Sequence, residues 1–201
     1  MEVTLLTKTE HFTDMVKNAV TATLTCHANT DKPVDCKDLL SHIIKLGHES
    51  VLEHINLTYS VKGLSRACLQ ELARHRHISL SVESTRHTLK RKINDEDWIT
   101  SYLLSLDEKQ QKILQVFLGF AWTEETLPND ELKYCLPEFW PANLIMTANI
   151  RALRHIIKLR TAPAALWEFR ELAYALFDAV PEEYRYLLED CVYKKEEKNG
   201  I

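Results

Sequence analysis

Glycine is scarce in this chain: Gly47, Gly63, Gly119 and Gly200 are the only four in 201 residues. Neither GxGxxG nor GxxxxGK(S/T) can be assembled from them, so any phosphate has to be held by side chains and not by a glycine-rich cradle. The five cysteines, Cys26, Cys36, Cys68, Cys135 and Cys191, are odd in number, scattered, and show neither a CxxC pair nor zinc-like spacing. They read as reduced thiols, which points to a reducing, cytoplasmic compartment. No window approaches the run of about eighteen apolar residues that a membrane span requires. Met1 to Lys8 has no basic stretch leading into a long apolar one, so no export or anchoring signal is visible. A basic excess is missing too, and the net charge of -4 argues against a protein that lives on nucleic acid or on an anionic membrane.

What is present is ordinary for a globular protein: 45% hydrophobic and 27% charged residues, in a chain long enough to bury a core as one domain, 1–201, without disulfides or metals. Loose alternation predicts a strand over 2–7. Phe12, Met15, Val16, Val20 and Leu24 give a helical face over 11–24. Asp35 suits the N-cap of a helix through Leu39, Leu40, Ile43, Ile44 and Leu46, with Gly47 at its C-terminal stop. Ile55, Leu57, Tyr59 and Val61 alternate with polar residues as in a half-buried strand that Gly63 ends. A helix over 64–74 follows, then a short extended segment or loop containing Ser79, Ser81 and Ser84. Beyond a polar stretch at 94–97, a helix runs through Ile113, Val116, Phe117 and Phe120, with a shorter one before Pro137. The Pro137 to Pro141 segment is a rigid break. A strand over 144–148, helices over 149–160 and 164–179, and a last short helix over 182–191 complete the chain. No internal repeat or low-complexity linker divides it, so one mixed domain is expected.

Charge is concentrated in one place. Between residues 74 and 92 stand Arg74, Arg76, Arg86, Lys90, Arg91 and Lys92 against the single acid Glu83, among flanking apolar residues such as Leu72, Ile78, Leu80 and Val82. Cations in a segment that passes through a folded core need a partner, and a small anionic ligand suits this better than a polymer. Arginine presents paired donors to phosphate oxygens, and Ser84 adds a hydroxyl. Ser84 as a nucleophile lacks an elbow and an evident base. His48, His54, His75 and His77 lack an HExxH spacing and an acidic cluster, and the adjacent arginines would repel a metal ion, so no metal is expected. The plain alternative for Arg74 and Arg76 is a pair of cations closing a helix C-terminus.

The spacing of Arg74-His75-Arg76, seven residues, Ser84 and Arg86 resembles the signature of the flavin-dependent thymidylate synthases. Gly47-His48-Glu49-Ser50 with Glu53-His54 is similar to that family's GHxS/T and EH pair, and Asn149-Ile150-Arg151 through Leu159-Arg160 to its NxR and LR helix. The three lie in the family's order and cover roughly residues 45 to 170. The resemblance implies an α+β fold, with a central, mostly antiparallel sheet flanked by helices, assembling as a homotetramer with sites shared between subunits. It implies an enzyme that makes dTMP from dUMP, with methylenetetrahydrofolate as carbon donor and NADPH as reductant acting through bound FAD.

Carried over by position, the resemblance implies that Arg74, His75, Arg76, His48, Ser50, Ile150 and the backbone at Val82 contact the flavin, with Asn149, Arg151 and His155 completing that site from another subunit. Ser84, Arg86 and Lys133 would hold the dUMP phosphate, with Glu71, Glu83, Thr85 and Arg74 bordering the nucleotide. Arg160 would sit by the uracil as the catalytic cation, favouring ionisation at N3. Arg151 and His155, four apart, share a helix face. Ser81-Val82 stands where many members have Asn-Glu, His87 replaces a frequent tyrosine, Lys133 a frequent arginine and Ala164 a flavin-contacting histidine. One residue of length between Glu53 and Arg74 leaves Gln70 and Glu71 as alternatives for one nucleotide contact. A nucleic-acid-binding module using the strip at 74–92 is the rival reading, and a structural relative without catalysis a third.

Overall fold

The computed structural model describes residues 1–29, 33–124 and 126–193, and its architecture is α+β. The elements are β1 (Glu2–Leu5), α1 (Thr9–Cys26), α2 (Cys36–Lys45), a 3-10 turn (Glu49–His54), β2 (Asn56–Ser65), α3 (Arg66–Leu72) and β3 (Ile78–Val82). There follow α4 (Thr85–Ile93), α5 (Glu96–Leu104), α6 (Glu108–Thr123), α7 (Asn129–Leu132), β4 (Pro141–Asn149), α8 (Ile150–Arg160) and α9 (Trp167–Asp178), with 3-10 turns at Glu182–Leu187 and Glu189–Cys191. The four strands form one antiparallel sheet in the order β1-β2-β4-β3.

Alternation decides which face is buried. Leu57, Tyr59 and Val61 of β2 and Leu144, Met146 and Ala148 of β4 turn inward to meet Phe12, Val16 and Val20 of α1, Leu40 and Ile43 of α2, Leu153, Ile156 and Ile157 of α8, and Phe169, Leu172 and Leu176 of α9. A second apolar cluster collects α4, α5, α6 and α7 around Trp140, which is almost fully buried and meets Trp98, Tyr102 and Phe117 ring against ring.

Caps explain several boundaries. Asp35 accepts from Asp38 N at 2.9 Å, and Gly47 stops α2 with φ at +74°, as the sequence predicts. Gly63, expected to end a strand, instead sits inside β2 at φ +74° in a register irregularity. Lys62 and Gly63 together oppose Asn143, and Gly63 N donates to its Oδ1 at 3.0 Å. A bulge absorbs one extra residue and the strand continues to Ser65. The helix expected over 64–74 is accordingly shorter: Leu64 and Ser65 still pair with Ala142 and Pro141, Ser65 caps α3, and the helix stops at Leu72. Arg74, His75 and Arg76 therefore lie in the turn after the helix, where His77 adopts φ +62°, and do not close its C-terminus.

The polar stretch at 94–97 contains the boundary of α5, with Asp95 as its N-cap. The basic strip contains an unexpected helix, α4, which buries only Leu89 and Ile93. The last predicted helix is a pair of 3-10 turns. Three features converge at one end of the sheet: the Glu49–His54 turn ahead of β2, the 73–77 turn ahead of β3, and the start of α8, where Asn149 pairs with Asn56 and Ile150 N donates to Ile55 O at 2.8 Å.

Candidate functional site

That end of the sheet carries a cleft of about 840 Å³. Glu49 and Glu53 line it from the 3-10 turn, Glu71 from α3, and Arg74, His75, Arg76 and His77 from the turn that follows. Asn149, Arg151, Ala152, His155, Leu159 and Arg160 supply the opposite wall. The α8 wall is built by spacing. Asn149 caps the helix by accepting from Ala152 N at 2.8 Å, Arg151 and His155 lie one turn apart on the cleft side, and Arg154 on the other side is buried. Its guanidinium forks onto Asp190 with two bonds of 2.6 Å, donates to Glu49 at 2.8 Å and to Leu187 O at 2.7 Å, and so pins α8 to the chain segments on either side.

Arg160 is the best-anchored cation of the cleft. Its Nε donates to His75 Nε2 at 3.0 Å and its Nη1 to Glu71 Oε2 at 3.0 Å, and its side chain is 16% exposed. Burial first, and then the neighbouring guanidinium of Arg160 and the His155 ring, push the His75 imidazole down to about 4. At neutral pH His75 is therefore uncharged and free to accept from Arg160. Arg151 is half exposed and pairs with Glu53 at 2.6 Å, and Arg74 is mostly exposed at 3.7 Å from Glu71. Arg76 is exposed and has no acidic partner among the described residues. Cations outnumber acids along the lining, four arginines to three glutamates, so the cleft suits an anionic ligand. A smaller cleft of about 550 Å³ shares Glu71 and Arg160 with the first and adds Gln70 and Ala164. Arg160 thus stands in a wall common to both.

Of the expected site residues, Glu71, Arg74, His75, Arg76, Asn149, Arg151, His155 and Arg160 meet in the large cleft of one chain, including the set that the resemblance drew from another subunit. His48 and Ser50 flank Glu49 outside the lining, and both are exposed. Ile150 is fully buried in the core. Val82 is exposed at the end of β3, opposite Leu144.

Glu83 is drawn into an internal network. Lys92 donates to it at 2.8 Å and Asn143 at 2.8 Å, and although burial pushes its carboxyl up, these bonds hold it below the usual range. Ser84, Thr85, Arg86 and Lys133 line neither cleft. They gather at the start of α4, where Ser84 precedes the helix without capping it and Arg86 forks onto Asp130 at 2.6 and 2.9 Å, with Lys133 3.9 Å from the same carboxylate. Helix N-terminal amides and the Ser84 hydroxyl thus stand beside two cations that share the Asp130 carboxylate. Glu49, Glu53, His77, Ala152 and Leu159 also line the cleft without having been expected as site residues: Glu49, Glu53 and Leu159 stand inside the motifs with no role assigned to them, and only the packing brings in His77 and Ala152.

A family model described as "Thy1: Thymidylate synthase complementing protein" matches residues 4–184. The chain is 41% identical over 191 residues to a flavin-dependent thymidylate synthase of Campylobacter jejuni (strain RM1221), covering 86% of this chain and 91% of that one. It is 38% identical over 159 residues to the protein of the same description from Helicobacter pylori (strain J99 / ATCC 700824), covering 72% and 76%. A crystal structure of thymidylate synthase X from Helicobacter pylori with FAD and dUMP superimposes with a TM-score of 0.81 at 32% identity, covering 96% of this chain and all of that one.

Proposed function

The chain belongs to the flavin-dependent thymidylate synthase family, and from that premise we propose that it reductively methylates dUMP to dTMP, with methylenetetrahydrofolate as carbon donor and NADPH supplying electrons through bound FAD. The observation that carries the proposal is the single cleft in which two segments far apart in sequence bring together Arg74, Arg76, Arg151 and Arg160 with Asn149, His75 and His155. Its volume lies in the range of cofactor sites, and the unpaired Arg76 with the exposed Arg74 and Arg151 offers fork donors to a dinucleotide's diphosphate. The donor set therefore fits FAD. When bound, the flavin carries the hydride that NADPH delivers.

The protein's own groups supply position and charge. Arg160, permanently cationic and fixed by Glu71 and His75, stabilises negative charge on the pyrimidine as the ring is activated, with little reorganisation. Ser84, Arg86 and Lys133 hold the phosphate, and the Asp130 fork keeps Arg86 in one rotamer. Ala164 leaves the smaller cleft without the imidazole that many members have there. Because the phosphate-binding group lies apart from Arg160 on one chain, we place a complete nucleotide site between subunits of a cytoplasmic homotetramer.

The rival, a nucleic-acid strip over 74–92, is disfavoured by its own ion pairs: Arg74 meets Glu71, Arg86 meets Asp130, and Lys92 meets Glu83. The absorption spectrum of freshly purified protein tests the proposal. A yellow protein that is bleached by NADPH, perturbed by dUMP and able to form dTMP is expected. A colourless protein that binds oligonucleotides with steep salt dependence would overturn the reading.

A further inference from the structure

Arg160 rests on more than its two hydrogen bonds. Its guanidinium carbon lies 4.5 Å from the centroid of the Phe169 ring, and Phe169 is fully buried. The same ring meets His75 edge-on, at 5.5 Å between centroids and 78° between planes. One aromatic ring on α9 thus supports both the cation and the group that accepts its Nε proton. The residue before it strengthens the arrangement: the Glu168 carboxylate accepts from Ser65 N at 2.8 Å and from the Ser65 hydroxyl. Ser65 caps α3, the helix that carries Glu71. The first turn of α9 therefore fixes the floor under Arg160 and ties down the element bearing its carboxylate partner. Among the described residues, Arg160 Nη2 donates to no protein acceptor.

We propose that Phe169 and His75 are positioning residues for the reaction: the ring serves as a shared platform and the imidazole as an acceptor, and together they hold Arg160 in one orientation that reserves its Nη2 amino group for the substrate. The proposal rests on the reading of Arg160 as the group that stabilises charge on the nucleotide. Four charged or titratable groups face His75: Arg160 and His155 from α8, Glu71 from α3, and Arg74 from the turn beside it. With three of them cationic or able to become so, the neutral imidazole is the form that can accept. A guanidinium freed from its platform samples several rotamers, and a misplacement of about 1 Å at a reacting centre costs on the order of 10²-fold in rate.

The test is steady-state dTMP formation by the FAD-loaded enzyme with dUMP titrated, alongside flavin stoichiometry and calorimetric dUMP binding, in Phe169→Leu, His75→Leu, His75→Gln and Arg160→Ala. Assayed at saturating FAD, Phe169→Leu and His75→Leu are expected to lower kcat by roughly 10- to 100-fold while changing KM for dUMP little. His75→Gln, whose amide oxygen can still accept, is expected to recover most of kcat. Should Phe169→Leu fail to fold, the two His75 variants decide, because that side chain is only half buried. Wild-type turnover in His75→Leu beside an inactive Arg160→Ala would overturn the positioning role and leave the reading of Arg160 intact. Equal damage in His75→Gln and His75→Leu, or a loss explained by missing flavin, would overturn it as well. Near-normal turnover in Arg160→Ala would instead remove the reading on which it stands.

Discussion

A guanidinium cannot be titrated away at any pH the protein survives, so Arg160 keeps its charge whatever the cleft holds, and in the proposed reaction its value would lie in where it is held. Replacing it with alanine removes the charge but keeps helix propensity in the last turn of α8. Arg160→Ala is expected to reduce dTMP formation by about 10²-fold or more, the order seen when one preorganised charge-stabilising donor is lost, while thermal midpoint and much of the flavin binding persist. Turnover assays beside a melting curve check this. His75 gives the pH dependence. Its ordinary value of 6.5 is lowered to about 4 in the folded protein. Between those values the unfolded chain binds a proton that the folded one does not, so folding stability falls as pH drops from 6.5 towards 4 and the effect is complete below that. The thermal midpoint of the wild type should therefore fall more across this window than that of His75→Gln, and parallel curves would show that the imidazole does not carry the effect.

Among the elements, α2 offers a clean test of local rules, because Asp35 at its start lines neither cleft, while Gly47 at its end stands two residues before Glu49 of the large one. Asp35→Ala removes the acceptor of Asp38 N and is expected to cost about 1 kcal/mol. Gly47→Ala meets no neighbour within 4 Å, so the whole penalty comes from the φ of +74°, also about 1 kcal/mol. Urea melts at fixed protein concentration measure both, and unchanged dTMP formation in the folded fraction of Asp35→Ala separates that cap from site effects. These caps were legible in the sequence because capping depends on a residue and its next three neighbours. Helix α4 was not legible: TRHTLKRKI buries two residues of nine, and what holds it is tertiary, the packing of Leu89 and Ile93 against the Trp140 cluster and the fork of Arg86 onto Asp130, forty-four positions away. The Glu49–His54 turn escaped for a similar reason, since Arg154 grips Glu49 from 105 positions away. Gly63 was misread because a glycine marks a left-handed backbone without saying whether the strand stops or bulges there.

At the scale of the whole molecule, the motifs supplied the names of the cleft residues, while their meeting in one place required the sheet. The pairing of Ala148 with Ile78 and of Asn149 with Asn56 brings the 73–77 turn, the 3-10 turn and α8 to one end. No local pattern encodes that, and Phe169 beneath Arg160 is the clearest example. The same topology leaves Ser84, Arg86 and Lys133 outside both clefts that Arg160 lines. If a nucleotide takes its phosphate contacts from one subunit and its pyrimidine contact from another, two differently damaged chains can repair each other. Arg86→Ala and Arg160→Ala, each nearly inactive alone, should regain activity when co-expressed or reassembled together. A site that needs one intact residue from each of two chains is restored in about a quarter of random pairings, so recovery towards that fraction of wild-type turnover is expected. The measurement is dTMP formation by purified mixed oligomers, separated by differently tagged subunits. If both residues served the same nucleotide from the same chain, every restored site would need an undamaged chain that the mixture does not contain. Activity would then remain at the sum of the two variants.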